Sequence, residues 1–281
     1  MAAANCEHPE HDAAYEFSTR AAGFAIARCL VGGRQPPEAE PSMRTFKLKN
    51  GDVSLECLNN EGHDGYPLVI IPGLSENIDD WTELAQFLYP RPVYAISLRG
   101  RGNSDAPPDA YSLDDHVSDV CTMIDQNLVS KFDLLGYSRG VSYALATLPT
   151  YRERIRRLIL GDYPARHTRL PDGYQAAVAS SIWRGRAMSE RMPRHAIEGL
   201  QRSSRHIDLI DAVHDFPGEM LLLYGNVELG ALLGTDDIKR YTSAKPSLKV
   251  RLFENSGHDL FSPDPLVVWR VISRFLEDAS I

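Results

Sequence analysis

Gly136-Tyr137-Ser138-Arg139-Gly140 sets a serine between two glycines, directly after the apolar run Phe132–Leu135 and ahead of a helix-compatible stretch reaching about Leu148. A strand-to-helix turn that tight forces an unusual backbone at its central residue and needs small neighbours two positions away on either side. It holds the hydroxyl clear of the sheet and aims it at a ligand, with the free N–H groups of the following helix beneath. Ser138 is therefore the candidate nucleophile. A serine hydroxyl is weak at neutral pH and needs a general base. Of the nine histidines, His258 stands out, because Ser256-Gly257-His258-Asp259 follows the last apolar run, Val250–Phe253. That loop falls at the carboxyl edge of the expected sheet, the edge where Ser138 also lies and where such sheets place their sites. His63 lies in an early loop, His116 on a helix, and the others in the tail or in an inserted segment.

The elements that must position these residues are read from hydrophobic periodicity. Thr45–Lys49 and Val53–Leu58 flank Asn50-Gly51-Asp52, a hairpin signal. Leu68–Ile71 is a short continuous apolar run, as expected of a strand buried on both faces, and Val93–Ser97, Phe132–Leu135, Ile155–Leu160, Met220–Tyr224 and Val250–Phe253 are read the same way. Leu113, Val117, Val120, Cys121, Ile124 and Leu128 fall on one helical face, and Leu266–Leu276 closes the chain as a helix. A hairpin followed by strand–helix units predicts an α/β fold with a doubly wound, mostly parallel sheet. Between Asp162 and Glu219 the rhythm breaks. No strand is evident there, only helix-compatible segments around Gly173–Ser189 and Pro193–Val213. Residues 163–218 are accordingly expected to form a helical lid, inserted between core segments 44–162 and 219–281. Residues 1–43 are read as a tail, a helix over Ala14–Val31 and a linker, Gly32–Ser42, with three prolines.

Composition narrows the function. The 281 residues are 43% hydrophobic and 24% charged, an ordinary globular balance. Thirty Lys and Arg against 38 Asp and Glu give a net charge of −8, which supplies no electrostatic reason to bind nucleic acid or an anionic membrane. Cys6, Cys29, Cys57 and Cys121 are scattered and form no CxxC pair. Neither a zinc site nor a disulfide framework is expected, and a reducing cytoplasm is the simplest location. The apolar stretch Ala21–Val31 contains Arg28 and is shorter than the roughly 20 residues that span a bilayer. Residues 1–16 carry four acidic residues and no Lys or Arg, unlike a secretory signal.

Four ordered motifs carry a resemblance. They are Ile71-Pro72-Gly73-Leu74, Ser97-Leu98-Arg99-Gly100-Arg101-Gly102-Asn103-Ser104, the Ser138 turn and Ser256-Gly257-His258. From about Arg44 onward, roughly five-sixths of its length, the chain resembles the α/β-hydrolase superfamily. The resemblance implies Ser138 as nucleophile, His258 as base, and the backbone N–H groups of Leu74 and Arg139 as an oxyanion hole. It implies a small-molecule substrate and no metal or organic cofactor. Pro72 replaces a common His, and Ser97 and Arg101 replace an Asp and a His of the family motif at positions that are usually structural. Arg139 stands where the family commonly has an apolar residue or Gln. Its guanidinium is expected either to reach an acidic group of the substrate or to turn into a salt bridge.

The acid partner of His258 has two candidates by the same resemblance. Asp162 ends the strand after the Ser138 turn, where one subgroup of haloalkane dehalogenases and some small esterases place it. Glu228, in Gly225-Asn226-Val227-Glu228, occupies the position that most lipases and esterases use. The short, stiff reach of an Asp at a strand end favours Asp162, with Glu228 the alternative. Ile182, Trp183 and Met188, on a helix-compatible segment, are candidates to line the substrate pocket. The expected activity is hydrolysis of a carboxylic ester, lactone or thioester through an acyl-enzyme. Alternatives are carbon–carbon hydrolysis or perhydrolysis on the same residues, or a silent ligand-binding protein.

Overall fold

Asn50-Gly51-Asp52 turns the chain between β1 (Arg44–Asn50) and β2 (Val53–Asn59), with Gly51 at φ +59° in the left-handed region. In the computed structural model, residues 42–128 and 130–277 are described. The tail and helix expected before residue 32, and all but the end of the linker after it, lie outside them.

The apolar runs become β3 (Leu68–Ile71), β4 (Val93–Ser97), β5 (Phe132–Tyr137) and β6 (Ile155–Gly161). After two-residue strands β7 (Arg166–His167), β8 (Ile182–Trp183), β9 (Arg186–Ala187) and β10 (Ile207–Asp208) come β11 (Glu219–Gly225) and β12 (Lys249–Phe253). The main sheet has eight strands in the order β1-β2-β4-β3-β5-β6-β11-β12. β2 pairs antiparallel with both neighbours, and every pair from β4 to β12 is parallel.

Period-two alternation divides the core into two layers. Val69 and Ile71 of β3, Leu158 and Leu160 of β6, and Met220 and Leu222 of β11 pack on one face, against α2 (Leu113–Asn127) and α3 (Gly140–Tyr151). Leu68 and Ile70, Ile159, and Leu221 and Leu223 pack on the other, with α1 (Thr82–Phe87) and the last helix, Pro265–Leu276. Strands covered on both sides read as unbroken apolar runs for this reason. The sheet is thus doubly wound. From β3 the chain steps outward to β4 and then back across to β5, so strand order reverses at β3. A crevice opens there at the carboxyl ends of β3 and β5.

The 163–218 segment differs in detail from expectation. Gly173–Ser189 is not one helix. It contains α4 (Tyr174–Val178), then the β8–β9 hairpin, then α5 starting at Met188 (Met188–Arg191). The hairpin turns on Arg184 and Gly185 at φ +45° and +74°, the two positive values of a type I′ turn. The second stretch holds α6 (Arg194–Ser203), then β10 paired with β7, then α7 (Ile210–Asp215). The segment has its own apolar cluster, in which Leu170, Met188, Met192, Ile197 and Leu200 pack with Tyr111 of the core.

Candidate active site

β5 ends at Tyr137, α3 begins at Gly140, and Ser138 occupies the turn between them at φ +51°. That is a strained value for a serine, of the kind held only where the surroundings dictate it. The flanking glycines are dictated by close approach. A Cβ on Gly136 would stand 2.7 Å from the Gly140 carbonyl oxygen, and one on Gly140 would collide with the carbonyls of Ile71 and Pro72 at the end of β3. The turn can therefore press against both β3 and its own helix only without side chains. Arg139 at the helix start provides no side-chain cap, so the α3 N-terminus is left to other partners.

The loop after β12 brings His258 to Ser138, with Nε2 2.8 Å from Oγ. Its Nδ1 lies 2.7 Å from Asp162 Oδ2. Asp162 follows directly on β6, at φ +42°, and its side chain is fully buried. Its Oδ2 also accepts the Leu232 N–H at 2.9 Å, and Oδ1 accepts that of Leu233 at 3.4 Å. A carboxylate accepts only, so His258 carries its proton on Nδ1 and turns the Nε2 lone pair to the serine. Two rings hold the imidazole. Tyr137 stacks on it at 5.9 Å and donates its hydroxyl proton to the His258 carbonyl, and Trp183 lies 5.5 Å away, tilted by 40°. Glu228 sits elsewhere, exposed in the 227–229 turn, its N–H capped by Asn226. The structure thus brings together Ser138, His258 and Asp162, and leaves the alternative acid in solvent.

Ser138 and His258 open on a cavity of about 400 Å³. Leu74 and Arg139 both border it, and neither main-chain N–H has a hydrogen-bond partner among the described residues. Ile182, Trp183 and Met188 line it as well, but Ile182 and Trp183 do so from the hairpin and not from a helix, and Ile182 sits at the rim, 71% exposed. The Arg139 guanidinium is buried and does not form the expected salt bridge; its hydrogen bonds go to Tyr143, Tyr163, Thr168 and His167. Arg101, at a position the resemblance marks as structural, is fully buried and donates from Nε to the Leu74 carbonyl at 2.8 Å. It thereby fixes the loop that borders Ser138. Among the described residues, no group of three or more His, Cys, Asp or Glu side chains is placed to hold a metal ion.

Sequence reasoning missed a second carboxylate. Glu76, two residues past Leu74 and 2% exposed, accepts the Gly73 N–H at 2.8 Å and lines the cavity. Burial pushes its carboxyl above the ordinary range, against the pull of Arg184 and of that hydrogen bond. Arg184, at the hairpin tip, spans from Glu76 at 3.1 Å to Asp259 at 2.9 Å and lies over the Phe261 ring at 4.8 Å. Arg191 adds a buried pair to Asp80 at 2.8 Å. These arginines tie the inserted segment to the Gly73 loop and to the residue after His258. The only signal for this in the sequence is an acidic residue in an otherwise uncharged loop, which no spacing rule connects to Arg184.

Residues 66–196 match the family model described as alpha/beta hydrolase fold. Over 101 residues the chain is 33% identical to a 2-hydroxymuconate semialdehyde hydrolase of Pseudomonas sp. (strain CF600), covering 34% of this chain and 36% of that protein. Over 107 residues it is 34% identical to epoxide hydrolase 4 of Mus musculus, covering 37% and 30%. The matched stretches thus span under half the length of these curated relatives. Among solved structures, an E-2-(acetamidomethylene)succinate hydrolase superposes with a TM-score of 0.68 at 18% identity, over 84% of this chain and all of the other. An esterase from Exiguobacterium antarcticum superposes with a TM-score of 0.67 at 19% identity, over 80% and 96%. At those identities the likeness concerns the fold.

Proposed function

This chain belongs to the α/β-hydrolase superfamily, and from that premise we propose that it is a serine hydrolase acting on a carboxylic ester, lactone or thioester. The observation that carries the proposal is the unbroken hydrogen-bond chain from Asp162 through His258 to Ser138, at 2.7 and 2.8 Å. His258 Nε2 takes the hydroxyl proton as Ser138 Oγ attacks the carbonyl carbon. Asp162, fully buried and anchored by two main-chain N–H groups, stabilises the imidazolium that forms. The tetrahedral oxyanion is received by the Leu74 and Arg139 N–H groups, whose unpartnered state supports that role. His258 then returns the proton to the leaving group, and water attacks the acyl-enzyme in a second round of the same transfers. Trp183 and Met188 border the acyl group, and the inserted segment acts as a lid over it. The test is kcat/KM across p-nitrophenyl esters of rising acyl length. Turnover that varies with length and vanishes in Ser138→Ala is expected; turnover that survives Ser138→Ala overturns the proposal.

A further inference from the structure

The cavity has two chemically different walls. On one, the Glu76 carboxylate is satisfied by Arg184, which also holds Asp259 outside the cavity lining. On the other stands Arg139, 1% exposed, whose side-chain hydrogen bonds among the described residues all go to neutral groups. Nε bonds the Tyr143 hydroxyl at 3.3 Å, Nη1 bonds the Thr168 hydroxyl at 3.1 Å, and Nη2 bonds His167 Nε2 at 2.8 Å. His167 brings no charge of its own. Ser142 spends its proton on the Arg139 carbonyl, so His167 Nδ1 must donate to Ser142 Oγ at 2.9 Å, leaving Nε2 as acceptor. Burial, reinforced by Arg139, brings the His167 pKa down to about 3, consistent with a neutral ring. Arg101, fully buried nearby, likewise bonds neutral groups, the Leu74 and Arg99 carbonyls, His116 Nε2 and the Tyr143 hydroxyl. Among the described residues, no carboxylate lies within 4.0 Å of either guanidinium.

A guanidinium keeps its charge at any working pH, and burying it without a counter-ion is costly. Two such groups beside one cavity make an interior that favours a negative charge. The route to Arg139 from the cavity is polar: the Thr168 and Tyr163 hydroxyls, 2.6 Å apart, both border the cavity, and so does Tyr174. We propose that this wall is a carboxylate subsite, so that the substrate carries an anionic group besides its scissile acyl bond. The carboxylate accepts a hydrogen bond from the Thr168–Tyr163 hydroxyl pair, which has one proton free beyond its mutual bond, and Arg139 behind the pair is its counter-ion. Glu76, elsewhere on the lining, repels the same group, so the charge also fixes which way round the substrate lies. The proposal rests on Ser138 being the nucleophile and names the class of its substrate: half-esters or half-thioesters of short dicarboxylic acids.

The test compares monophenyl esters of glutaric, adipic and pimelic acids with their ω-methyl esters, in which the charge is masked. Wild-type protein is expected to favour the free acid in kcat/KM by about tenfold or more for at least one length. In Arg139→Met that ratio should fall towards one, mainly through KM, and Arg139→Lys should restore part of it. A separate arm measures glutarate binding to Ser138→Ala by calorimetry, with glutaramide as the neutral control, and needs no turnover. Glutarate binding without glutaramide binding supports the subsite even if the esterase reading fails. Equal treatment of acid and methyl ester by wild-type protein, or no glutarate binding at millimolar concentration, overturns the subsite while leaving Ser138 labelling unaffected. The wild-type and Ser138→Ala arms decide the question even if Arg139→Met does not fold.

Discussion

Asp162→Asn removes a charge and puts an amide where three N–H donors converge: His258 Nδ1 and Leu232 N on one oxygen, Leu233 N on the other. An asparagine has a single acceptor oxygen. With that oxygen towards His258, the amide N–H group faces the Leu233 N–H, and the neutral side chain no longer stabilises an imidazolium. Turned the other way, the amide donates to Nδ1, which drives the ring proton to Nε2 and leaves no base for Ser138. Either arrangement strikes the transition state and not substrate binding. The loss expected is about 10⁴-fold in kcat, the size typical of this exchange in a Ser-His-Asp triad, or about 5 kcal/mol at 1.36 kcal/mol per decade. One buried donor left unpaired adds a stability cost of about 1–3 kcal/mol, which a fold of this size tolerates. Glu228→Gln, in an exposed turn, should change turnover by less than about threefold. The assay is p-nitrophenyl ester turnover at saturation, with circular dichroism to verify folding. The reasoning is refuted if Asp162→Asn keeps more than about a tenth of the rate, or if Glu228→Gln is the more damaged.

Two further outcomes follow from the buried charges. Arg184→Met strips the counter-ion from Glu76, whose side chain is 2% exposed, and should cost about 3–5 kcal/mol of stability by urea titration, with most of it recovered on adding Glu76→Gln; an unchanged midpoint would mean the hairpin is held by packing alone. His167 concerns acid stability: its folded pKa of about 3 lies below the unfolded value near 6.5, so between those values the unfolded chain takes up a proton that the fold refuses. Its contribution is present above pH 6.5 and is lost as pH falls through that window, by at most about 1.4 kcal/mol per pH unit, and His167→Gln should flatten the dependence of the urea midpoint on pH between 6.5 and 4. An unaltered slope in that variant would show that the ring titrates normally.

What the sequence made legible follows from where each signal resides. The central strands of the main sheet announce themselves because burial on both faces favours apolar residues throughout, as in Leu68–Ile71 with all four residues buried, whereas the edge strands β1 and β12 are largely exposed. Ser138 stands out because a turn pressed between β3 and α3 requires glycine at 136 and 140, a constraint written in adjacent residues. The choice between Asp162 and Glu228 is different in kind. Both sit at plausible loop positions, and only the direction of the His258 Nδ1–H bond separates them, which is a tertiary fact. The β8–β9 hairpin is invisible to periodicity because two residues cannot display a period, and its Arg184-Gly185 turn lacks the usual Asn or Asp. Arg139 was readable as an unusual residue beside the nucleophile. Its burial among hydroxyls and a neutral imidazole depends on His167 and Thr168, more than 25 residues away in the chain.

The most direct measurement is mass spectrometry of the protein after reaction with a fluorophosphonate, with the adduct mapped to a peptide. Ser138 Oγ, activated by His258 at 2.8 Å, should carry a single adduct, formed far more slowly in His258→Ala and absent from Ser138→Ala. An adduct that maps to another residue, or that persists when Ser138 is replaced by alanine in a folded protein, would contradict the assignment of Ser138 as nucleophile.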